Sequence, residues 1–266
     1  MKKLLLVIII TCIAVHLFAQ TNTTWNGKKC AVVLTYDDAL NTHLDNVIPL
    51  LDSLGFKATF YLSASFPGSK NRLEDWKKAS AEGHELGNHT LWHPCLGNLP
   101  GRSWVSPEND MNNYTVQRMV NESRMTNIFL RALDGKTERT FAYPCGDMQI
   151  HDTTYMDSMR NDFIAARAVR EEMHTIDKIN LYNIDCYAMN NATGEQMTSL
   201  VKQAMQTNTL LVFLFHGVGG EHAINVSLDA HRGLLIYLKQ NEKDIWIAPM
   251  IDVAKYTKAY QLKQKN

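Results

Sequence analysis

Nothing in the composition pulls this chain of 266 residues toward a charged partner, because Lys and Arg number 27 against 27 for Asp and Glu. That balance excludes the concentrated basic surface on which nucleic-acid binding depends. Prolines number only 7, and no Pro/Ser-rich linker, repeat or biased stretch divides residues 20–266. Cysteines are also few, 5 in all and none in a CxxC pair, which argues against a fold stapled by disulfides. After residue 19 there is no apolar run long enough to span a bilayer.

What stands at the start is different. Lys2 and Lys3 precede an apolar run from Leu4 to Val15, broken only by Thr11 and Cys12, and Leu17-Phe18-Ala19 leads into Gln20. Residues 1–19 read as a secretory signal peptide and predict export, to the periplasm, the cell surface or the medium. A retained anchor fits less well, since the run is short for about 30 Å of hydrocarbon. Lipid attachment at Cys12 is a further alternative, but Ile9-Ile10-Thr11 lacks the small residues of a lipoprotein cleavage site. Removing the signal takes Lys2 and Lys3 from the 27 basic residues and leaves Cys30, Cys95, Cys145 and Cys186. An even number in an exported chain allows two disulfides. A domain of this length folds without them, so free, mostly buried thiols are the favoured expectation. Cys95, Cys145 and Cys186 each border a segment with candidate chemistry.

Residues 20–266 read as one catalytic domain. Short apolar runs recur at Cys30–Thr35, Ala58–Leu62, Arg139–Phe141, Phe163–Ala166, Leu181–Ile184, Leu210–Phe215 and Ile245–Ala248, and these predict buried strands. Helical patterns lie between them, at His43–Leu54, Leu73–Glu82, Thr115–Leu133, Gly194–Gln206 and Ser227–Gln240. Strand and helix alternating predict an α/β fold with a parallel sheet, and about seven strands favour a barrel. The stretch Leu96–Asn113, rich in Gly, Asn and Pro around Trp104, predicts a long loop that is either functional, as a wall of the substrate groove, or disordered.

Two adjacent carboxylates, Asp37 and Asp38, close the first apolar run, where the ends of parallel strands face an active site. One can bind a metal while its neighbour approaches a water, or the pair can simply cap the next helix. Further on, His89 and His93 stand four apart, and on a helical turn both rings would share an ion. Thr90 stands where a zinc protease carries its glutamate, so that pattern is excluded. His84 reads as structural. His216, at the end of an apolar strand, alone could be an ordinary core histidine, and His222 reads as a rim residue.

Thr35-Tyr36-Asp37-Asp38-Ala39, Gly83-His84-Glu85-Leu86-Gly87-Asn88-His89-Thr90-Leu91-Trp92-His93, Phe141-Ala142-Tyr143-Pro144-Cys145-Gly146 and Leu214-Phe215-His216-Gly217 together resemble the polysaccharide deacetylases. That is the fourth carbohydrate esterase family, to which chitin and peptidoglycan deacetylases belong. The resemblance implies a distorted, seven-stranded (β/α) barrel. It implies a divalent metal on Asp38, His89 and His93, most commonly zinc, with cobalt, nickel or manganese as alternatives. It also implies Asp37 as general base, His216 as general acid and the Cys145 backbone N–H as oxyanion donor, with Tyr143 and Pro144 lining the substrate groove. Three protein ligands leave positions open, as a catalytic zinc requires.

Three departures stand out. Ala39 replaces a usual glycine, which asks only for a negative φ. Ala142 replaces the Arg that orients the base in many members, leaving Arg139 or Arg167 as suppliers of that charge. Cys145 replaces a common aromatic. The family's fourth motif is at best echoed by Asp185-Cys186-Tyr187. Trp25, Trp76, Trp92 and Trp104 are candidates for stacking on sugar, with Trp92 and Trp104 favoured by their irregular surroundings. The expected activity is hydrolysis of N- or O-acetyl groups on a poly- or oligosaccharide, with no nucleic acid and no membrane span in the mature chain. The alternatives are a catalytically silent carbohydrate-binding protein on the same scaffold, and a structural protein with incidental histidines.

Overall fold

The run Cys30–Asp37 is a strand, β1, buried at every position. A sequence apolar on both faces requires this where helices cover both sides of a parallel sheet. The computed structural model describes residues 24–264, so the expected signal peptide lies outside the described residues. The other sheet strands are β2 Thr59–Leu62, β3 Glu85–Asn88, β4 Thr140–Ala142, β5 Ala165–Arg167, β6 Tyr187–Ala188, β7 Leu210–Phe215 and β8 Ile245–Ile247. They pair in parallel in the order β5-β4-β3-β2-β1-β7-β6. One edge of β1 is shared: Cys30–Val32 pair with β8, and Thr35–Asp37 pair with β2.

Between β5 and β6 no ladder forms among the described residues. The segment before β6 spans the gap instead, with Ala168 N–H donating to Ile184 O at 2.8 Å and Cys186 N–H to Arg170 O at 3.0 Å. The result is the distorted (β/α)7 barrel. The expected strand at Leu181–Ile184 reduces to a single bridge to Arg167. In its place β3 completes the sheet, and its polar sequence hid it. Glu85 is buried but accepts from Thr59 Oγ1 at 2.8 Å, Thr140 Oγ1 at 2.6 Å and Ile251 N at 2.9 Å. Buried polar groups are tolerated when their partners are this complete.

Helices pack outside: α1 Ile48–Ser53, entered through a π turn at His43–Val47, then α2 Leu73–Ala81, α3 Val116–Asp134, α4 Gly194–Thr207, α5 Leu228–Gln240 and α6 Met250–Lys263. Their starts follow capping chemistry. Thr115 Oγ1 accepts from Arg118 N at 3.1 Å, Ser227 Oγ from Ala230 N at 3.1 Å, and Thr193 with Gln196 forms a capping box. The main core lies between sheet and helices around Phe60, Trp76, Phe213 and Phe215, and a second cluster around Tyr114, Phe141 and Tyr155 lies apart from it. Each large side chain so buried contributes about 1.5–3 kcal/mol.

Trp25 and Trp76 belong to that core and are fully buried, so neither stacks on a sugar. The cysteines also correct the expectation of free thiols. Cys95 and Cys145 form a disulfide, with Cα atoms 5.8 Å apart, while Cys30 and Cys186 are free and buried. Fifty residues separate the joined pair. Only the barrel, which brings the loops after β3 and β4 together, makes them neighbours.

Candidate active site

The candidate residues gather at the carboxyl ends of the strands. Asp37 ends β1, His89 follows β3, Cys145 lies in the turn after β4, Arg167 ends β5 and His216 follows β7. At the end of β1 the backbone turns sharply, with Asp38 at φ 77 and Ala39 at φ 51. The expectation of a negative φ at Ala39 is therefore wrong: the usual glycine serves a left-handed position, and this chain holds an alanine there. Gly68 sits against that turn, and a Cβ on it would lie 1.8 Å from Ala39 O.

Asp38 is central. Its Oδ1 lies 3.6 Å from His93 Nε2 and 3.8 Å from His89 Nε2, and its Oδ2 lies 3.8 Å from His216 Nε2 and 3.9 Å from His222 Nε2. The donor atoms of Asp38, His89 and His93 all fall within 4.8 Å of one another. Two donors each about 2.1 Å from a shared tetrahedral ion stand about 3.4 Å apart, so these separations suit one. Asp38 Oδ1 is also buried with no hydrogen-bond partner. His89 Nδ1 donates to Ala142 O at 2.8 Å, which leaves the Nε2 lone pair for a ligand. Burial pushes the pKa of both His89 and His93 down to about 4, against the pull of Asp37, so each ring is neutral as ligation requires. The residues fit a divalent ion.

The two histidines do not share a helical turn. Thr90 at φ 65 and His93 at φ 53 make the stretch irregular, and the rings meet at 72° with centroids 4.7 Å apart. Thr90 Oγ1 accepts from His93 N at 3.0 Å and holds that bend.

Asp37 borders the same cluster, with Oδ2 3.7 Å from His89 Nε2, but is held differently. Arg167, fully buried, donates to its Oδ2 through Nη2, and so supplies the charge that Ala142 lacks. Burial alone would raise the Asp37 pKa, but Arg167, with His89 and His216, holds it below the usual carboxylate range. Asp37 Oδ1 is left without a partner. Arg139 is excluded from this role, since it is paired with Asp134. Arg167 is itself positioned by Ala168 O at 3.2 Å and Cys186 Sγ at 3.5 Å.

His216 Nδ1 is buried with no hydrogen-bond partner among the described residues. Burial lowers its pKa, with Asp37 and Asp38 pulling the other way. Asp185, the echo of a fourth motif, is engaged elsewhere, with Arg170 at 2.9 Å and His174 at 2.8 Å. The Cys145 turn is clamped. Its carbonyl accepts from Arg102 Nη2 at 3.1 Å, Arg102 also pairs with Asp147, and Asp147 accepts from Leu96 N at 2.8 Å. The loop 96–113 is thus tied to the Cys145 turn by Arg102 and, next to its start, by the disulfide. Trp92 and Trp104 are 46% and 62% exposed. Tyr143 and Pro144 are buried, and Tyr143 Oη donates to Tyr182 O at 2.8 Å. His84 is structural, sandwiched between Ala58 N–H and Asp52.

Residues 25–162 match the model of the polysaccharide deacetylase family, which is more than half of the chain. This chain belongs to that family. Among curated relatives, a gellan lyase of Bacillus sp is 23% identical over 87% of this chain and 10% of its own length. A chitin deacetylase of Pestalotiopsis sp is 37% identical over 25% of this chain and 22% of its own. The chain therefore spans a small part of the relatives it matches. Of solved structures, the polysaccharide deacetylase Bc1974 of Bacillus cereus superposes with a TM-score of 0.52 at 20% identity, covering 83% of this chain and 91% of that one. A D285S mutant of the peptidoglycan deacetylase PdaC of Bacillus subtilis gives 0.52 at 16%, covering 89% and 95%. A mutant of BA3943, described as a family pseudoenzyme, gives 0.52 at 18%, covering 85% and 67%. At these identities the likeness is one of fold.

Proposed function

We propose that this polysaccharide deacetylase is an exported, metal-dependent hydrolase that removes N- or O-acetyl groups from a carbohydrate polymer or oligomer. The observation that carries the reading is the division of labour between adjacent carboxylates. Asp38 faces His89 and His93 across a gap of ligand size, while Asp37 is held by Arg167 with one oxygen to spare. Bound by Asp38, His89 and His93, a divalent ion, zinc by its donor set, supplies a Lewis acid that makes water reactive near neutral pH.

The chain's own residues do the rest. Asp37, ionised at neutral pH because Arg167 holds its pKa down, takes the proton of the attacking water at Oδ1. Arg167 keeps the carboxylate from turning. The Cys145 N–H donates to the oxyanion that develops on the acetyl group, on a turn that the disulfide and Arg102 hold in place. His216 gives a proton to the departing sugar nitrogen or oxygen. Trp92 and Trp104 offer rings to sugar faces on the rim. Export is supported by the Cys95–Cys145 disulfide, which persists in oxidising compartments, together with the signal-like residues 1–19.

The likeness to a pseudoenzyme keeps a silent binding protein in view. Against it, Asp37, Asp38, His89, His93 and His216 are all present and gathered at one end of the barrel. The test is acetate release by the mature chain from N-acetylglucosamine oligomers and acetylated xylan, with and without chelator and added zinc. Release that stops with chelator and returns with zinc supports the proposal, and the responsive substrate names the bond. Silence on every substrate by zinc-loaded protein contradicts it.

A further inference from the structure

The loop after β7 carries a second imidazole, His222, for which the mechanism above has no use. Its ring stacks on His216 with centroids 4.7 Å apart and planes 15° from parallel. Its Nε2 lies 3.9 Å from Asp38 Oδ2, against 3.8 Å for His216 Nε2. Both rings therefore present the same edge to the same side of the site. Those separations exceed hydrogen-bond length, so neither nitrogen is committed to Asp38.

The shorter of two contacts at Nδ1 assigns the tautomer. Ile224 N–H lies 3.0 Å from His222 Nδ1, and an amide N–H can only donate, so Nδ1 carries a lone pair. The Ile224 carbonyl at 3.2 Å from the same atom is the weaker neighbour. The proton of the neutral ring then sits on Nε2, which makes that atom a donor and unsuited to ligate an ion.

The loop is also built to hold this ring. Glu221 accepts from Asn41 Nδ2 at 2.6 Å and Thr42 N at 2.7 Å, Asn46 Nδ2 donates to Val218 O at 2.9 Å, and His43 Nε2 donates to His216 O at 2.8 Å. Every one of these anchors comes from the turn that follows Asp38. Glu221 itself sits at φ 68, a conformation that non-glycine residues keep only where their surroundings enforce it. His222 is about 30% exposed, which leaves it reachable by a ligand.

We propose that His222 contacts the substrate directly, its Nε2–H donating to a sugar oxygen on the leaving-group side of the acetyl bond, beside the atom that His216 protonates. The inference rests on the deacetylase reading. It assigns as substrate class an acetylated sugar with a hydroxyl or glycosidic oxygen next to the acetylated atom, and it disfavours simple acetyl esters.

Two variants separate the donor from the stack. His222→Phe keeps a ring against His216 and removes the donor, whereas His222→Gln keeps a donor. With zinc-loaded mature protein, His222→Phe should lose about tenfold to a hundredfold in kcat/KM on the N-acetylglucosamine pentamer or on an acetylated xylo-oligosaccharide. On 4-nitrophenyl acetate, whose leaving group offers no such oxygen, it should stay within about twofold, and His222→Gln should recover most of the loss. Equal losses on both substrate types would make His222 a support for His216 and overturn the proposal. No loss on either would overturn it too.

Binding gives a second readout. In an Asp37→Asn background, calorimetry should show the oligosaccharide bound about tenfold or more weakly once His222 is Phe. A chain that binds the oligosaccharide without releasing acetate overturns the deacetylase reading, and the binding loss alone then decides for or against His222. A chain that neither binds nor cleaves overturns both.

Discussion

His89 and His93 meet at 72°, while His216 and His222 stack at 15°, each pair with its centroids 4.7 Å apart. All four rings surround one carboxylate, the first pair at Asp38 Oδ1 and the second at Oδ2. Steeply inclined imidazoles can direct their nitrogens at one point. Parallel ones set their nitrogens side by side and suit a ligand with two atoms to contact. Residue type and number are the same in both pairs, and under the proposed function the ring angle is what separates an ion-holding pair from a substrate-facing pair. The angles trace to the anchors: a donated bond from His89 to the Ala142 carbonyl, and a bond received by His222 from the Ile224 amide.

The sharpest way to break this comparison is to remove the shared carboxylate and one ring of each pair in turn. Asp38→Ala and His93→Ala should abolish bound zinc, read as equivalents per chain by elemental analysis, and take acetate release to the chelated baseline. His222→Phe should leave zinc content unchanged. Zinc loss at His222 would erase the distinction between the pairs.

The support of the site comes next in size. Arg167→Gln strands a buried carboxylate at Asp37, and breaking such a pair costs about 3–5 kcal/mol, measurable by urea unfolding. Unchanged stability would mean that the pair is not the buried support it is taken to be. The Cys95–Cys145 disulfide closes a loop of 50 residues and should contribute about 2–4 kcal/mol, lost on reduction. Alkylation of the unfolded mature chain without reductant should block only Cys30 and Cys186.

The smallest expected effect comes from histidines remote from the site chemistry. Burial, with His43 nearby, pushes the His231 pKa down to about 3, and burial pushes His84 down to about 4 against the pull of Asp52. In the unfolded chain both titrate near about 6.5. Between those values the unfolded state binds protons that the native state refuses. Their stabilising contribution is therefore complete above about pH 6.5 and is lost as pH falls toward 4, by about 1–2 kcal/mol per histidine between pH 7 and 5. Urea midpoints at the two pH values measure it, and His231→Phe should flatten the slope.

Much of the barrel was legible because its central strands are continuous apolar runs. Leu210–Phe215 was bounded to the residue, and the first run fell short only by Tyr36 and Asp37. Candidate site residues were legible where a motif set them at a strand end. What stayed hidden depended on distant partners. Glu85-Leu86-Gly87-Asn88 reads as polar until Thr59, Thr140 and Ile251 are beside Glu85. The Cys95–Cys145 pair and the choice of Arg167 over Arg139 require the fold to bring β3, β4 and β5 loops onto β1. The left-handed turns at Ala39, Thr90 and His93 carry no glycine to announce them, which is why the histidine pair read as helical. The anchoring of the His222 loop, by Glu221 on Asn41 and Thr42, was hidden because it spans 180 residues of sequence.

The central claim is that Asp38 holds the ion while its neighbour Asp37 moves the proton. The most direct test is Asp37→Asn, with zinc content and acetate release measured on the same sample. The account predicts wild-type zinc and release lower by about 10²- to 10⁴-fold. Release that is unchanged, or zinc lost together with activity, would contradict it.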